Sequence, residues 1–273
     1  MAVFCSNRQM PGHEVQAVAT NLLAALRFFG QARKDAEIRD LPDVSLIFCG
    51  LNYAAFNAAL LSRPIDGDAS ELDRIIRLSG SQFDSKHVRW TCWLCDDFLS
   101  KPLRPEAQYI FGRHGLRPLT HAPGMYAERL ARPKRRLPFL EIRQVGDEST
   151  RATFAEVMSV AFDIPLSVSS AVYGSSHAWS SDFRGYIGYS NGKAVTTAAA
   201  MITGDVIGLY SVATLPQYRR LGFAEAIMRQ VLEGAKEHAG IERTVLQATA
   251  SGLSLYEQMG YRTVTRFNVY IAD

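Results

Sequence analysis

Val212-Ala213-Thr214-Leu215-Pro216-Gln217-Tyr218-Arg219-Arg220-Leu221-Gly222-Phe223-Ala224 is the stretch whose reading decides the fold. It runs from a strand end through a basic turn into a helix whose stripe is Ala224, Ile227, Met228, Val231, Leu232 and Ala235, and Gly240 stops that helix. The N–H groups of a first helical turn lack intrahelical partners. With the positive end of the helix dipole they form an anion site. Gly222 lets backbone approach a pyrophosphate with no Cβ in the way, small Ala224 keeps the turn open, and Arg219 and Arg220 add positive charge. Neither a Walker phosphate loop nor a Gly-x-Gly-x-x-Gly dinucleotide fingerprint is present. Taken alone, these residues fit an ordinary strand-to-helix turn with a packing glycine equally well.

Working outward, the spacing of Phe154, Val157, Met158 and Ala161 predicts a helix over 149–161. Segments 186–189 and 194–196 flank Ser190-Asn191-Gly192-Lys193, where Asn-Gly predicts a tight hairpin because both residues tolerate positive φ. Strands are expected at 206–212, 245–248 and 263–271, with a short helix at 253–259. The order predicts a mixed α/β domain. Upstream, Arg129 to Pro138 carries two prolines and five basic residues and offers no apolar face, so it is expected to be a solvated interdomain linker. The competing reading makes Arg132, Lys134, Arg135 and Arg136 an anion or acidic-partner patch. The chain is therefore divided into 1–130, a basic linker 131–140, and 141–273.

Segment 141–273 resembles the GNAT superfamily of N-acetyltransferases. The resemblance rests on the Val212 to Pro216 strand end, the Arg219-x-x-Gly222-x-Ala224 turn, and Leu255-Tyr256-Glu257-Gln258-Met259-Gly260-Tyr261, which looks like the family's Leu-Tyr-Glu-x-x-Gly-Phe helix end. It implies a mixed central sheet with flanking helices and an enzyme that moves an acetyl group from acetyl-CoA to a primary amine by direct attack on the thioester. By that similarity Val212, Ala213 and Thr214 hold the pantetheine arm through backbone groups, as an added strand is held. Arg220, Leu221, Gly222, Phe223, Ala224 and Glu225 hold the pyrophosphate. Tyr256 matches the general acid, and backbone N–H groups around Val212 are the natural oxyanion donors. A phenol of pKa about 10 is protonated at neutral pH and can donate to a thiolate whose conjugate acid lies near about 8.5. Two departures occur: Thr249 stands where the family often has Asn, still offering a hydroxyl to the cofactor arm, and Gly252 replaces the usual Ala. Asp163, Asp182 and Asp205 are available as bases but read better as cap or turn residues, leaving water as a proton relay.

The first half echoes the second. His114-Gly115-Leu116-Arg117-Pro118-Leu119-Thr120 lies over Met259-Gly260-Tyr261-Arg262-Thr263-Val264-Thr265, and strands at 44–49 and 88–94 with helices at 70–78 and 105–114 repeat the order. Two tandem GNAT-like domains are expected, the first degenerate and without cofactor. In that register Phe111 replaces Tyr256, and Asp66-Gly67-Asp68 puts carboxylates where a pyrophosphate would lie. The first half is expected to form the acceptor side of the cleft, with Val168 to Trp179 as a mobile rim. Its alternative is to cover apolar surface or mediate a homodimer.

Composition sets the outer bounds. Of 273 residues 47% are hydrophobic and 21% charged, which excludes global disorder. A net charge of +3 is too small to imply nucleic acid as an obligate partner. No stretch reaches the about 20 apolar residues a membrane span needs, and the first residues lack a secretory pattern, so a cytoplasmic protein is expected. Cys5, Cys49, Cys92 and Cys95 are too scattered for a disulfide scaffold. Cys92-Trp93-Leu94-Cys95 has no second Cys or His pair to complete a zinc site, and no metal is expected. Acceptors in view are small-molecule amines and protein amines. The competing class is a non-catalytic acyl-CoA-binding or sensing module.

Overall fold

Local chemistry sets the elements first. Asn191 and Gly192 take positive φ (49° and 74°) in the hairpin turn, and Gly240 ends its helix in the left-handed conformation. Asp147 caps one helix through a reciprocal box with Thr150, and Asp68 caps another by accepting from the N–H groups of Ser70 and Glu71. The computed structural model describes residues 11–65, 68–179 and 182–272; Cys5, Asp66 and Gly67 lie outside them. The first half runs α1 (His13–Leu26), β1 (Glu37–Asp40), β2 (Val44–Phe48), β3 (Ala58–Leu61), α2 (Ala69–Asp84), β4 (Thr91–Cys95), α3 (Arg104–Arg113) and β5 (Leu116–Ala127). The second runs β6 (Glu141–Gln144), α4 (Glu148–Phe162), α5 (Leu166–Tyr173), β7 (Phe183–Ser190), β8 (Lys193–Thr203), β9 (Val206–Thr214), α6 (Phe223–Ala239), β10 (Thr244–Gln247), α7 (Leu253–Gln258) and β11 (Arg262–Ala272).

All eleven strands belong to one sheet, ordered β1-β2-β3-β4-β11-β5-β10-β9-β8-β7-β6. The order is not two blocks laid side by side. The final strand of each half has crossed into the other: β11 pairs antiparallel with β4, and β5 pairs antiparallel with β10. The exchanged strands then pair with each other, from Arg262 opposite Tyr126 to Ala272 opposite Leu116. On either side of this central pair sits a parallel ladder, β3 with β4 and β9 with β10, so the halves are related as near copies. The architecture is mixed α/β with tandem halves.

Three apolar clusters hold the layers. One packs α2 and α3 against the first half's strands, and one packs α6 and α7 against β8, β9 and β10. The third belongs to neither half alone: Ala25, Phe28, Ala32, Cys49 and Phe56 pack with Phe154, Val172, Tyr173 and Phe183. Phe28 lies 4.5 Å from Phe183 and 5.0 Å from Trp179, centroid to centroid, so the 168–179 segment is packed against the first half. Cys92 and Cys95 are buried core thiols, pushed up by desolvation to about 12 and about 11. Among the described residues no helix is long and apolar enough to cross a membrane, and no His/Cys/Asp/Glu group has a metal-binding arrangement.

Strand exchange makes each half incomplete on its own. A 139–273 fragment keeps β11 without β4 or β5 beside it, and β10 without β5. We expect this fragment alone to show no cooperative urea transition, and co-expression with 1–130 to give a two-fragment complex that co-purifies and unfolds cooperatively. A cooperative transition of the lone, monomeric fragment would contradict the exchange.

Candidate functional site

The site begins where two parallel strands part. β9 and β10 pair at Ile207–Thr244 and Gly208–Val245, and no later pair joins them. Each is held from its outer side instead. Gln247 stays opposite Gly124 and the Ala248 N–H donates to the Pro123 carbonyl, while Thr196 and Thr197 of β8 stay opposite Thr214 and Ala213. The result is a wedge open between β9 and β10. A bulge bends β9 at that point: Ala198 falls between the pairs Thr197–Ala213 and Ala199–Tyr210, so Ser211 and Val212 oppose one residue, and Ser211 takes φ 49°. Two β8 hydroxyls fix it, Thr197 donating to the Ser211 carbonyl (3.0 Å) and Thr196 to the Ala213 carbonyl (2.6 Å). The Thr196-Thr197 doublet inside the otherwise apolar run 194–202 is the sequence signal for these bulge-holding residues, which the motif reading passed over.

β9 leads into the basic turn. Gly222 is the N-cap of α6 with φ 93°, and no side chain caps the helix. Its first-turn N–H groups therefore remain available to an anion, unlike those of α2, which the Asp68 carboxylate fills. Arg220 also adopts the left-handed conformation, with φ 63°, a conformation that costs a non-glycine residue about 1 kcal/mol or more. Arg219 turns away from the helix: it donates to the carbonyls of Thr214 (3.1 Å) and Ala161 (2.9 Å), tying strand end to α4. Glu225 is buried and paired with Arg229 at 2.8 Å, so its charge is matched within the helix. Leu221 is exposed and Phe223 buried.

The linker lies against this turn. Its residues are mostly exposed, as a tether's would be, but the backbone is fixed: the Ala131 N–H donates to the Met259 carbonyl (2.8 Å), and Arg229 donates to the Ala131 carbonyl (2.7 Å). Farther along, a Cβ placed on Gly222 would stand 3.1 Å from Pro138 Cδ and 3.3 Å from an Arg135 guanidinium nitrogen. Glycine is thus required at 222 by φ and by the linker's approach.

Tyr256 on α7 is 9% exposed and shares the cluster beneath α6 with partly buried Val212, so the structure brings both onto the same side of the sheet. Among the described residues its hydroxyl makes no hydrogen bond, and desolvation alone pushes the phenol up to about 12. Its ring lies across Gly252, where a Cβ would come within 2.7 Å of the ring edge. Thr249 pairs its hydroxyl with Ser251 at 3.1 Å, and its carbonyl accepts the N–H groups of Gly252 and Leu253. Of the carboxylates, Asp205 precedes β9 at the far end from the bulge and pairs with Arg243, and Asp182 lies beside Ile202 near that same end. Asp163 ends α4 in the left-handed conformation, two residues from the Ala161 carbonyl that takes Arg219.

The first half reaches the opposite face of the wedge through α1, an element the sequence reading did not place. Asn21, fully buried, donates to the Met201 carbonyl and Thr203 hydroxyl and accepts from the Tyr210 hydroxyl at 2.6 Å. A Cβ at Gly208 would collide with the Asn21 carboxamide. In the first half the equivalent wedge is shut: Ile65 and Leu99 form a parallel bridge just past the β3–β4 ladder, the Ile65 N–H donating to Phe98 at 2.7 Å. Phe111, in the place of Tyr256, is fully buried against Tyr270.

Residues 181–263, which carry the bulge, the turn, α6 and α7, match the family model described as Acetyltransferase (GNAT) domain. This stretch is a GNAT domain. An N-alpha-acetyltransferase of Sulfurisphaera tokodaii is 33% identical over 89 residues, 32% of this chain and 50% of that protein, so the match spans half the length of that curated relative. A GCN5-related N-acetyltransferase from Kribbella flavida superposes with TM-score 0.71 at 16% identity, over 96% of both chains. A tandem GNAT protein from the clavulanic acid biosynthesis pathway superposes with TM-score 0.51 at 10% identity, over 95% of this chain and 94% of that one. These two likenesses speak to fold, and they extend it across both halves of the chain. The GNAT fold places the wedge and the turn on one strand-to-helix connection, β9 to α6.

The turn gives a stability test independent of any ligand. Gly222→Ala forces an L side chain to φ 93° and sets its Cβ against Pro138, and we expect a loss of about 1–2 kcal/mol in urea unfolding. An unchanged midpoint and slope would show that the turn relaxes freely.

Proposed function

We propose that the chain is an acetyl-CoA-dependent N-acetyltransferase acting on a primary amine by direct attack on the thioester, with all cofactor contacts of the motif in the second half. The observation that carries this reading is the contrast between the halves. The second has an open wedge leading to an uncapped helix, whereas the first has the same elements with the wedge bridged and the helix capped by a carboxylate. In this reading the inner edge of Val212, Ala213 and Thr214 receives the pantetheine arm as an added strand. The α6 turn, Arg220 to Glu225, takes the pyrophosphate on its N–H groups, with Arg219 bracing the turn from behind. Thr249 sits at the opposite lip, where its hydroxyl can turn from Ser251 to the arm.

Attack of a neutral amine on the thioester carbonyl builds negative charge on its oxygen, which the N–H groups around Val212 meet, and expels the thiolate toward Tyr256. Burial decides what Tyr256 does. Full transfer from a phenol at about 12 to a thiolate whose conjugate acid lies near 8.5 is uphill by about 5 kcal/mol. Tyr256 therefore acts as a fixed hydrogen-bond donor to the leaving sulfur, and water completes the protonation. The first half, through α1 and the shared aromatic cluster, supports the acceptor face. Asp182 and Asp205 lie away from the wedge's open end, and Asp163 lies at the end of α4 near Arg219 with no hydrogen bond into the wedge among the described residues. This favours water as relay, and the lack of an assigned base keeps a non-catalytic acyl-CoA sensor as the second reading.

Calorimetry with acetyl-CoA and thiol release across a panel of small amines and peptide N-termini separate the two. We expect micromolar-range binding and release with at least one amine. Binding without release from any amine would support the sensor, and no binding would sink both.

Tyr256→Phe retains the ring over Gly252 and removes only the donor. We expect kcat to fall by about 10²-fold with acetyl-CoA affinity unchanged. Because the phenol stays protonated below about pH 12, kcat/KM of the wild type is expected to rise with pH to a plateau, as the acceptor amine deprotonates, and not to fall again by pH 10. An alkaline limb that disappears in Tyr256→Phe would contradict the raised pKa.

A further inference from the structure

We infer that Arg135, from the segment joining the two halves, is a positioning residue for the pyrophosphate of the acyl donor. The inference rests on the acetyl-CoA reading above and adds a contact from outside the matched domain. Three observations converge. First, the geometry: an Arg135 guanidinium nitrogen lies 3.3 Å from where a Gly222 Cβ would be, beside the uncapped turn that opens α6. Second, the segment cannot drift far from that turn. Ala131 is clamped between Met259 and Arg229, Pro138 rests against Gly222, and Leu140 is buried ahead of β6. Third, the charge is unspent. Among the described residues Arg132, Lys134, Arg135 and Arg136 form no ion pair or side-chain hydrogen bond, while the arginines around them do: Arg219 on two carbonyls, Arg229 on Glu225 and Ala131.

Four like charges on a short extended segment repel one another, and an anion seated at the turn offsets that repulsion. A planar guanidinium can give two parallel N–H donors to the oxygens of a diphosphate, which the α6 N–H groups approach from the other side. Arg135 would thus complete a clamp whose floor is Gly222 and whose rear brace is Arg219. The lysine beside it, Lys134, lacks that fork geometry. The same contact makes the joining segment part of the donor site and links the fixed position of Ala131 to it.

The test uses the full chain and three variants, Arg135→Gln, Arg135→Lys and, as a charge-matched control on α2, Arg77→Gln. Binding of CoA and of 3′-dephospho-CoA is measured by calorimetry at low and high salt. We expect Arg135→Gln to weaken both ligands at least tenfold and by similar factors. Arg135→Lys should recover part of the loss, and the factor should shrink at high salt. Arg77→Gln should match the wild type. Thermal midpoints should be the same for all four proteins, since the Arg135 side chain is exposed and unpaired. A loss confined to CoA would move the contact to the 3′-phosphate and overturn the pyrophosphate assignment, and so would an affinity unchanged by Arg135→Gln. Failure of the wild type to bind either ligand would instead remove the acetyl-CoA reading itself.

Discussion

Everything in this structure depends on the antiparallel pairing of β5 with β11. Each strand is the last element of its half, and each has been placed beside the parallel ladder of the other half, so the central seam of the sheet is built from the final strands of both halves. A parallel strand pair offers an edge to be filled, and an unfilled edge exposes a row of unpaired N–H and C=O groups. The exchange fills both edges at once. It also fixes the wedge: β10 is held by β5 on one side, so it cannot swing back to follow β9 past Gly208, and the bulge at Ser211 keeps β9 on β8.

Given near-copies of one plan, the fate of each wedge follows from a handful of residues. In the first half the chain pairs again past β3 at the Ile65–Leu99 bridge, and Asp68 supplies the anion that the α2 N-terminus prefers. A helix that carries its own carboxylate has no use for a foreign phosphate. In the second half the chain turns at Arg220 and Gly222 through two left-handed residues, leaving α6 uncapped. The strain of a non-glycine residue at Arg220 and the lack of a cap are both local costs, and they coincide at one turn. That turn is the one to which the proposed function gives the pyrophosphate.

Much of this was legible in the chain itself. The Asn191-Gly192 hairpin, the α6 stripe ended by Gly240, and the echo of 259–265 in 114–120 all rest on short-range rules, and the folded elements follow them. What periodicity cannot see is which strand lies beside which. β5 and β11 read as ordinary terminal strands, and their apolar pattern is the same whether they close their own half or the other, so the exchange was invisible. α1 has an ordinary stripe in Val18, Leu22, Ala25 and Leu26, but what it does depends on Asn21, whose partners on β8 and β9 lie some 180 positions away and are reported by no local rule. The short strands β1, β3 and β6 fell below the length at which alternation is readable. The joining segment read correctly as exposed and basic, but its two backbone anchors come from residues nearly a hundred or more positions away, which no local rule reports.

The same distinction between local and spatial information explains a departure from the family pattern, at Gly252. Gly252 stands where alanine is usual, and as the N-cap of the short helix α7 it is in a position that favours glycine over alanine. In three dimensions the missing Cβ is filled by the Tyr256 ring, whose edge lies 2.7 Å from where that Cβ would be. The missing methyl leaves room for the phenol edge over its own helix start, buried enough that desolvation alone pushes it up to about 12. A phenol so placed stays protonated in the neutral range, and among the described residues its hydroxyl has no hydrogen-bond partner, as the proposed role of donor to a leaving thiolate requires. Gly252 and Tyr256 are therefore coupled: any side chain at the first would have to displace the ring of the second.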